Sequence, residues 1–261
     1  MPTLGVIFPP DLPPEELHQV ATAADDAGLE ELWLWEDCFA ESGVAPAAAV
    51  LGWTQRLRVG IGLLPVPLRN VGLTAMELAT LARLFPGRVV PGIGHGVLDW
   101  MGQVGARAES PMTLLAEYTT ALRRLLSGET VSVAGRYVTL HDVALAWPPD
   151  PPLAVLVGAV GPRTLRLAGR LADGVILTGD ATPEGVRDAL TEVAPPRDRA
   201  FSVVSFVEVR DRPTSGQVAK LAQRYFDAGA TTVALHSVGD ARPPLADFAT
   251  LVANEVAPLL R

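Results

Sequence analysis

A single cysteine, Cys38, stands in the chain of 261 residues. That excludes an internal disulfide framework and a thiolate-rich zinc site. Lysine is almost missing: of 21 basic residues only Lys220 is not arginine, a bias from which no mechanism follows. Basic charge is the minority sign, 21 against 29 acidic residues for a net charge of −8. This argues against nucleic-acid binding, which calls for a basic face. No uncharged apolar run reaches the ~18 residues of a membrane span. The opening segment, MPTLGVIFPPDLPPEE, has no basic stretch ahead of an apolar one and so does not read as a signal peptide. The expectation is a cytoplasmic protein with neither membrane nor nucleic acid as a partner. Histidine is also scarce. His18, His95, His141 and His236 show no HxH or HExxH spacing, so no metal is expected. Nucleophile-elbow, Walker-loop and paired-carboxylate signatures are missing too.

What is present is a well-mixed chain, 49% hydrophobic and 19% charged, long enough to bury a full core. Proline and glycine punctuate it throughout. No stretch reads as a linker, and the densest patch, Trp147-Pro-Pro-Asp-Pro-Pro152, is short enough for a rigid crossing. Residues 1–261 are therefore read as one domain. Between the punctuation, β-rich runs occupy Leu4–Phe8, Glu31–Glu36, Leu57–Leu63, Arg88–Ile93, Leu153–Val157, Gly174–Thr178, Phe201–Val209 and Thr231–His236. Several are nearly continuous apolar runs, as strands covered on both faces should be. Helical periodicity follows each, as in Leu17, Val20, Ala21, Ala24 and in Val218, Leu221, Ala222, Tyr225. Further helices are placed near 45–54, 111–127, 162–172 and 183–193. Ser110-Pro111 and Thr182-Pro183 put a capping hydroxyl before a proline, and Thr214 with Gln217 reads as a capping box. Gly28, Gly128 and Gly229 are the expected stops.

Eight strands alternating with eight helices in about 250 residues predict a (β/α)8 TIM barrel of the α/β class. A doubly wound open sheet is the rival. It needs fewer units, and its first strand feeds a glycine-rich turn, whereas Leu4–Phe8 runs into Pro9-Pro10. Val131–Leu140 alternates about a central Ala-Gly and predicts a small β-hairpin insertion.

In such a barrel, chemistry sits at the C-terminal strand ends. Those ends bring forward Glu36-Asp37-Cys38, Gly62-Leu63, Gly94-His95-Gly96, Gly158-Ala159-Val160-Gly161-Pro162, Thr178-Gly179-Asp180 and His236-Ser237. The turn Gly158–Pro162 is small enough for backbone N–H groups to approach an anion at a helix start. It reads either as a phosphate cradle or as a plain tight turn. The alternating glycines of Val59-Gly-Ile-Gly-Leu63 mark either a flat ligand's approach or packing against small barrel layers. Cys38 reads as an inert thiol. Asp99-Trp100-Met101-Gly102 opens a loop to about Ser110, where Trp100 is a substrate lid or a packed aromatic. Trp33 reads as core, and Trp35 as core or pocket wall.

Taken together, Leu57–Asn70, Glu77–Arg88, Gly92–Gly96 and Gly161–Gly174 resemble the bacterial-luciferase-like flavin and deazaflavin oxidoreductases. The likeness spans most of the chain and is nearest the methylenetetrahydromethanopterin-reductase-like members. It implies a TIM barrel with a flavin-type ring in its mouth. The ring would be backed by a bulge at the third strand carrying a cis Gly62–Leu63 peptide. The implied cofactor is coenzyme F420, a deazaflavin, with FMN as the alternative. Its phosphate would lie on Gly158, Ala159, Val160, Gly161 and Pro162. Asp37, Cys38, Gly62, Leu63, His95 and Gly96 would line the ring, with Asp37 and His95 the candidate catalytic residues and Trp100 and His236 facing a small-molecule substrate. The chain departs from the family's sugar-phosphate dehydrogenases at Cys38, where they have histidine, and at Val97, where they have glutamate. Those residues move protons, so the resemblance implies hydride transfer to an activated C=C or C=N bond rather than alcohol oxidation. The alternatives are an FMN-dependent monooxygenase or reductase and a non-catalytic flavin-binding member. A homodimer is the implied assembly.

Overall fold

A computed structural model of the protein describes residues 2–260 apart from Gly179, Asp180 and Arg197. Eight parallel strands close into a barrel. In spatial order they are β1 (Thr3–Phe8), β2 (Glu31–Leu34), β3 (Arg58–Pro65), β4 (Val89–Gly94), β7 (Leu156–Ala159), β8 (Gly174–Leu177), β9 (Ser202–Arg210) and β10 (Thr232–Val238), with β10 returning to β1. The antiparallel pair β5 (Val131–Ala134) and β6 (Thr139–Val143) is the expected hairpin, outside the barrel. Around the barrel run α1 (Leu17–Ala27), α2 (Val44–Trp53), α3 (Val71–Leu84), α4 (Leu98–Gln103), α5 (Pro111–Leu126), α6 (Pro162–Leu171), α7 (Pro183–Val193), α8 (Ser215–Asp227) and α9 (Leu245–Leu251). Closure leaves no strand edge unpaired and excludes the open-sheet rival. Among the described residues no helix is long and apolar enough to cross a membrane.

The apolar periodicity lands where the core is. Leu17, Val20, Ala21 and Ala24 are all buried, as are Val218, Ala222 and Tyr225. Inside the barrel a second cluster joins Ile7, Trp33, Leu156, Ile176, Val204, Phe206 and Ala234. Trp33 dominates it. A Cβ on Gly60 would lie 2.3 Å from the Trp33 ring and one on Gly5 2.9 Å from it, so the flat group that β3 admits at Gly60 is the protein's own indole. Its Nε1 donates to Glu31 at 2.8 Å, and Glu31 pairs with Arg58 at 3.1 Å on the closed end of the barrel.

Two of the three hydroxyl caps expected at helix starts form. Thr214 and Gln217 form the capping box, and the Thr182 side chain accepts from Gly185 N–H. The Ser110 hydroxyl instead pairs with Thr113 Oγ1 at 2.7 Å and caps nothing. The strand expected over Leu153–Val157 begins three residues later. Val155 N–H is taken by the Asp173 carboxylate, 3.1 Å away, instead of by a neighbouring strand. The loop expected from Asp99 to about Ser110 begins instead within α4, which buries Met101 against Gly96. One apolar contact in six residues leaves no periodicity to read.

Candidate active site

The mouth is built at the C-terminal ends of β2, β3, β4 and β7. On β3 the pairing register with β4 shifts between Ile61 and Leu64, and the Gly62–Leu63 peptide is cis, as the resemblance implied. The bulge sends the Leu63 side chain across the neighbouring strands. A Cβ on Gly158 would lie 2.1 Å from Leu63 Cδ2, and one on Gly94 2.7 Å from it. Glycine at 94 and 158 is thus what makes room for Leu63.

Above this floor opens a cavity of about 500 Å³. It brings together Asp37, Gly62, Leu63, His95, Gly96, Trp100, Gly158, Ala159, Val160 and Gly161, all named from the sequence. Three others fall outside its lining. Cys38 is half-buried behind Asp37, and its thiol is pushed up by burial and then by the Glu36 and Asp37 carboxylates. Pro162 starts α6 on the exposed side of the turn. His236 borders a second hollow with Pro9, Asp11, Asp240 and Arg242. Trp35 divides the two hollows, packing edge-on against His236 at 4.9 Å and tilted against Phe206 at 5.7 Å. Of the expected strand end Thr178-Gly179-Asp180, Thr178 lines the cavity and the other two lie outside the described residues.

Sequence reasoning missed Thr164 and Phe206. Thr164, on the first turn of α6, places Oγ1 3.3 Å from His95 Nε2. Phe206 shares the inward parity of Val204 on β9, and a large aromatic at that parity near a strand's top is the signal that could have found it.

The two neighbouring carboxyls differ in kind. Glu36 accepts from Gly43 N–H at 2.6 Å and from the Arg69 guanidinium, which also pairs with Glu77 at 3.5 Å. It ties the end of β2 to the start of α2 and to the turn after β3. The Asp37 carboxyl has no hydrogen bond or ion pair among the described residues, and burial raises its pKa. His95 is shifted the other way: burial lowers it, against the Pro111 carbonyl, so its ring is neutral at neutral pH.

A closed parallel barrel with a bulged third strand, a glycine turn into α6 and one apolar mouth cavity defines a small-molecule enzyme site on the TIM-barrel plan. The luciferase-like monooxygenase family model matches residues 3–253, and the chain belongs to that family of oxidoreductases. The 5,10-methylenetetrahydromethanopterin reductase of Archaeoglobus fulgidus is 26% identical over 245 residues, 90% of this chain and 73% of that protein. The F420-dependent glucose-6-phosphate dehydrogenase of Nakamurella multipartita is 32% identical over 197 residues, 68% of this chain and 56% of that protein. The chain thus spans just over half the length of the second relative. Among solved structures, the coenzyme F420-dependent tetrahydromethanopterin reductase from Methanopyrus kandleri superposes with a TM-score of 0.85 at 18% identity, covering 100% of this chain and 99% of that one. An FMN-bound 3,6-diketocamphane monooxygenase component from Pseudomonas putida gives 0.75 at 15%, with the same coverages. Both share the fold.

Proposed function

We propose that the protein is an oxidoreductase that uses coenzyme F420 for hydride transfer to or from a small organic substrate, in the direction that reduces an activated C=C or C=N bond. The observation that carries this reading is the cavity itself. Its volume suits a tricyclic ring. Its walls are apolar at Leu63, Pro65, Val97 and Phe206, and its edge is the open turn Gly158–Gly161. A Cβ on Gly161 would meet nothing within 4 Å, so a phosphate has free approach to the backbone that leads into α6. The name of the Nakamurella relative supports the deazaflavin over other cofactors.

The bound deazaflavin would supply a hydride at its C5, and the protein's task is then to position two carbons and keep water away. Leu63, Gly62 and Pro65 would carry one face of the ring. His95, held by Thr164, and Gly96 would border it. Gly158 to Gly161 would hold the phosphate, with Pro162 fixing the helix start. Trp100, on α4, would close over the substrate. Among the described residues of the lining, Asp37 is the one charge-bearing side chain without a partner. Cys38 and Val97 stand where the family's sugar-phosphate dehydrogenases carry their proton-moving histidine and glutamate, which favours reduction over alcohol oxidation.

Titration of the purified protein with oxidised coenzyme F420 and, separately, with FMN, followed by fluorescence, tests the proposal. Tight deazaflavin binding with FMN at least tenfold weaker is expected. The reverse order would transfer the case to flavin and oxygen chemistry. Binding of neither would leave the Gly158–Gly161 turn as a turn and the chain as a non-catalytic family member.

A further inference from the structure

We propose that Asp37 makes the mouth selective for a substrate with a positively charged nitrogen at or beside the reacting carbon, and unsuited to phosphorylated or carboxylated ones. This rests on the hydride-transfer reading and narrows its substrate class. The placement of charge around the cavity carries this. Among the described residues the cavity lining holds no lysine or arginine. Arg163 lies outside it, past the phosphate turn. Across Trp35, Arg242 is held by Asp11 at 2.9 Å, and Asp240 adds a second acid to that hollow. Burial keeps both His95 and His236 below the ordinary histidine range, so neither supplies a cation at neutral pH. Glu36 is already matched by Arg69 and Gly43. What remains facing the cavity is the unpaired Asp37 carboxyl among aromatic and aliphatic walls. A phosphate on the substrate would find no partner there, and burying an anion unpaired is costly. A cationic nitrogen would find an anion and the faces of Trp35 and Phe206.

The chemistry of such a substrate calls for no proton donor. Hydride added to an iminium carbon drives the C=N π pair onto nitrogen and gives a neutral amine. No proton is delivered to the substrate; the reduced deazaflavin would give up the hydride and release its ring N–H proton to solvent, which leaves the oxidised deazaflavin as the other product. An anion beside the iminium is the requirement, and Asp37 is that anion once ionised.

Three probes of one shape test the proposal: benzylamine, benzyl alcohol and benzoate. Each is titrated at pH 8, far above the ordinary aspartate value, because burial raises the pKa of Asp37. Binding is read by quenching of tryptophan fluorescence, with and without coenzyme F420. The ammonium probe is expected to bind at least tenfold tighter than benzoate. Asp37→Asn should shrink that ratio below twofold while the alcohol's affinity stays within twofold. Asp37→Ser is the second variant if the first does not fold. Benzoate binding as tightly as benzylamine, or a preference that survives in the variant, would overturn the proposal. Deazaflavin affinity is measured in the same samples. Its loss would sink the hydride-transfer reading, whereas the ammonium preference in cofactor-free protein stands or falls separately.

Discussion

Single atoms decide how this mouth is shaped. At position 158 the obstacle to a methyl group is the far end of the flexible Leu63 side chain, 2.1 Å away. Gly158→Ala should therefore fold normally and push Leu63 up into the cavity. The expected outcome is a stability change within about 1 kcal/mol and at least tenfold weaker binding of coenzyme F420. Leu63→Ala in the same background should restore part of the affinity. Gly60→Ala differs in kind, because its methyl would strike the Trp33 indole, locked in the barrel interior at 2.3 Å. Overpacking of this sort costs roughly 1–3 kcal/mol, and urea denaturation of the two variants side by side checks the contrast. From the sequence the alternating glycines of β3 were visible and their meaning was not. An indole supplied from β2 and a ligand leave the same mark on β3, and only the barrel's closure says which one is present. His95 was legible as a strand-end histidine, but its contact with Thr164, 69 positions further on, was not. If neutral His95 moves no proton, His95→Ala should leave turnover unchanged across pH 6–9. A lost pH limb would return it to the chemistry.

Elements were legible wherever one face repeats. The eight barrel strands and most helices follow from apolar periodicity, and the capping box at Thr214 could be named from two residues. Thr214→Ala should cost about 1 kcal/mol, read as a shift in the urea midpoint. Elements whose form is set by a distant side chain were not legible. The late start of β7 is the work of Asp173, and the placement of the β5–β6 hairpin is the work of Glu117. The Glu117 carboxylate, on α5, accepts from the N–H groups of Arg136, Tyr137 and Val138 at 2.9, 2.8 and 3.1 Å. Burial would raise its pKa, but those three donors and Arg136 bring it below the ordinary glutamate value. Its contribution is thus complete above the unfolded pKa near 4.3 and is lost as pH falls through the folded value. Hydrogen exchange should show the hairpin amides of Glu117→Gln opening faster than wild type at pH 7, with the barrel strands unchanged. Equal protection of the hairpin in both proteins would mean that packing on α5 alone holds it.

At the scale of the whole molecule, the barrel's closed end and its open mouth respond to acid in different pH ranges. Asp25 accepts from the N–H groups of Gln55, Arg56 and Leu57 at 2.8, 2.9 and 2.8 Å. Burial opposes its ionised form, but the three donors and Arg56 prevail and lower its pKa. That carboxylate therefore stabilises the fold above pH about 4 and fails only as pH drops through its folded value. The mouth fails earlier. His95 and His236 both titrate below the free histidine value because burial penalises their charged forms; at His236 this outweighs the pull of Glu208 and Asp11. The unfolded chain therefore takes up protons at these positions first. Their contribution to stability is complete above pH about 6.5 and declines as pH falls from there through the folded values. The urea midpoint should thus fall between pH 7 and pH 5, before the Asp25 carboxylate is protonated. His95→Gln with His236→Gln should flatten that slope and leave the steeper loss below pH 4 in place. A bound deazaflavin that buries the His95 ring further should steepen it. If the double variant keeps the wild-type slope, the acid-sensitive groups lie outside the mouth.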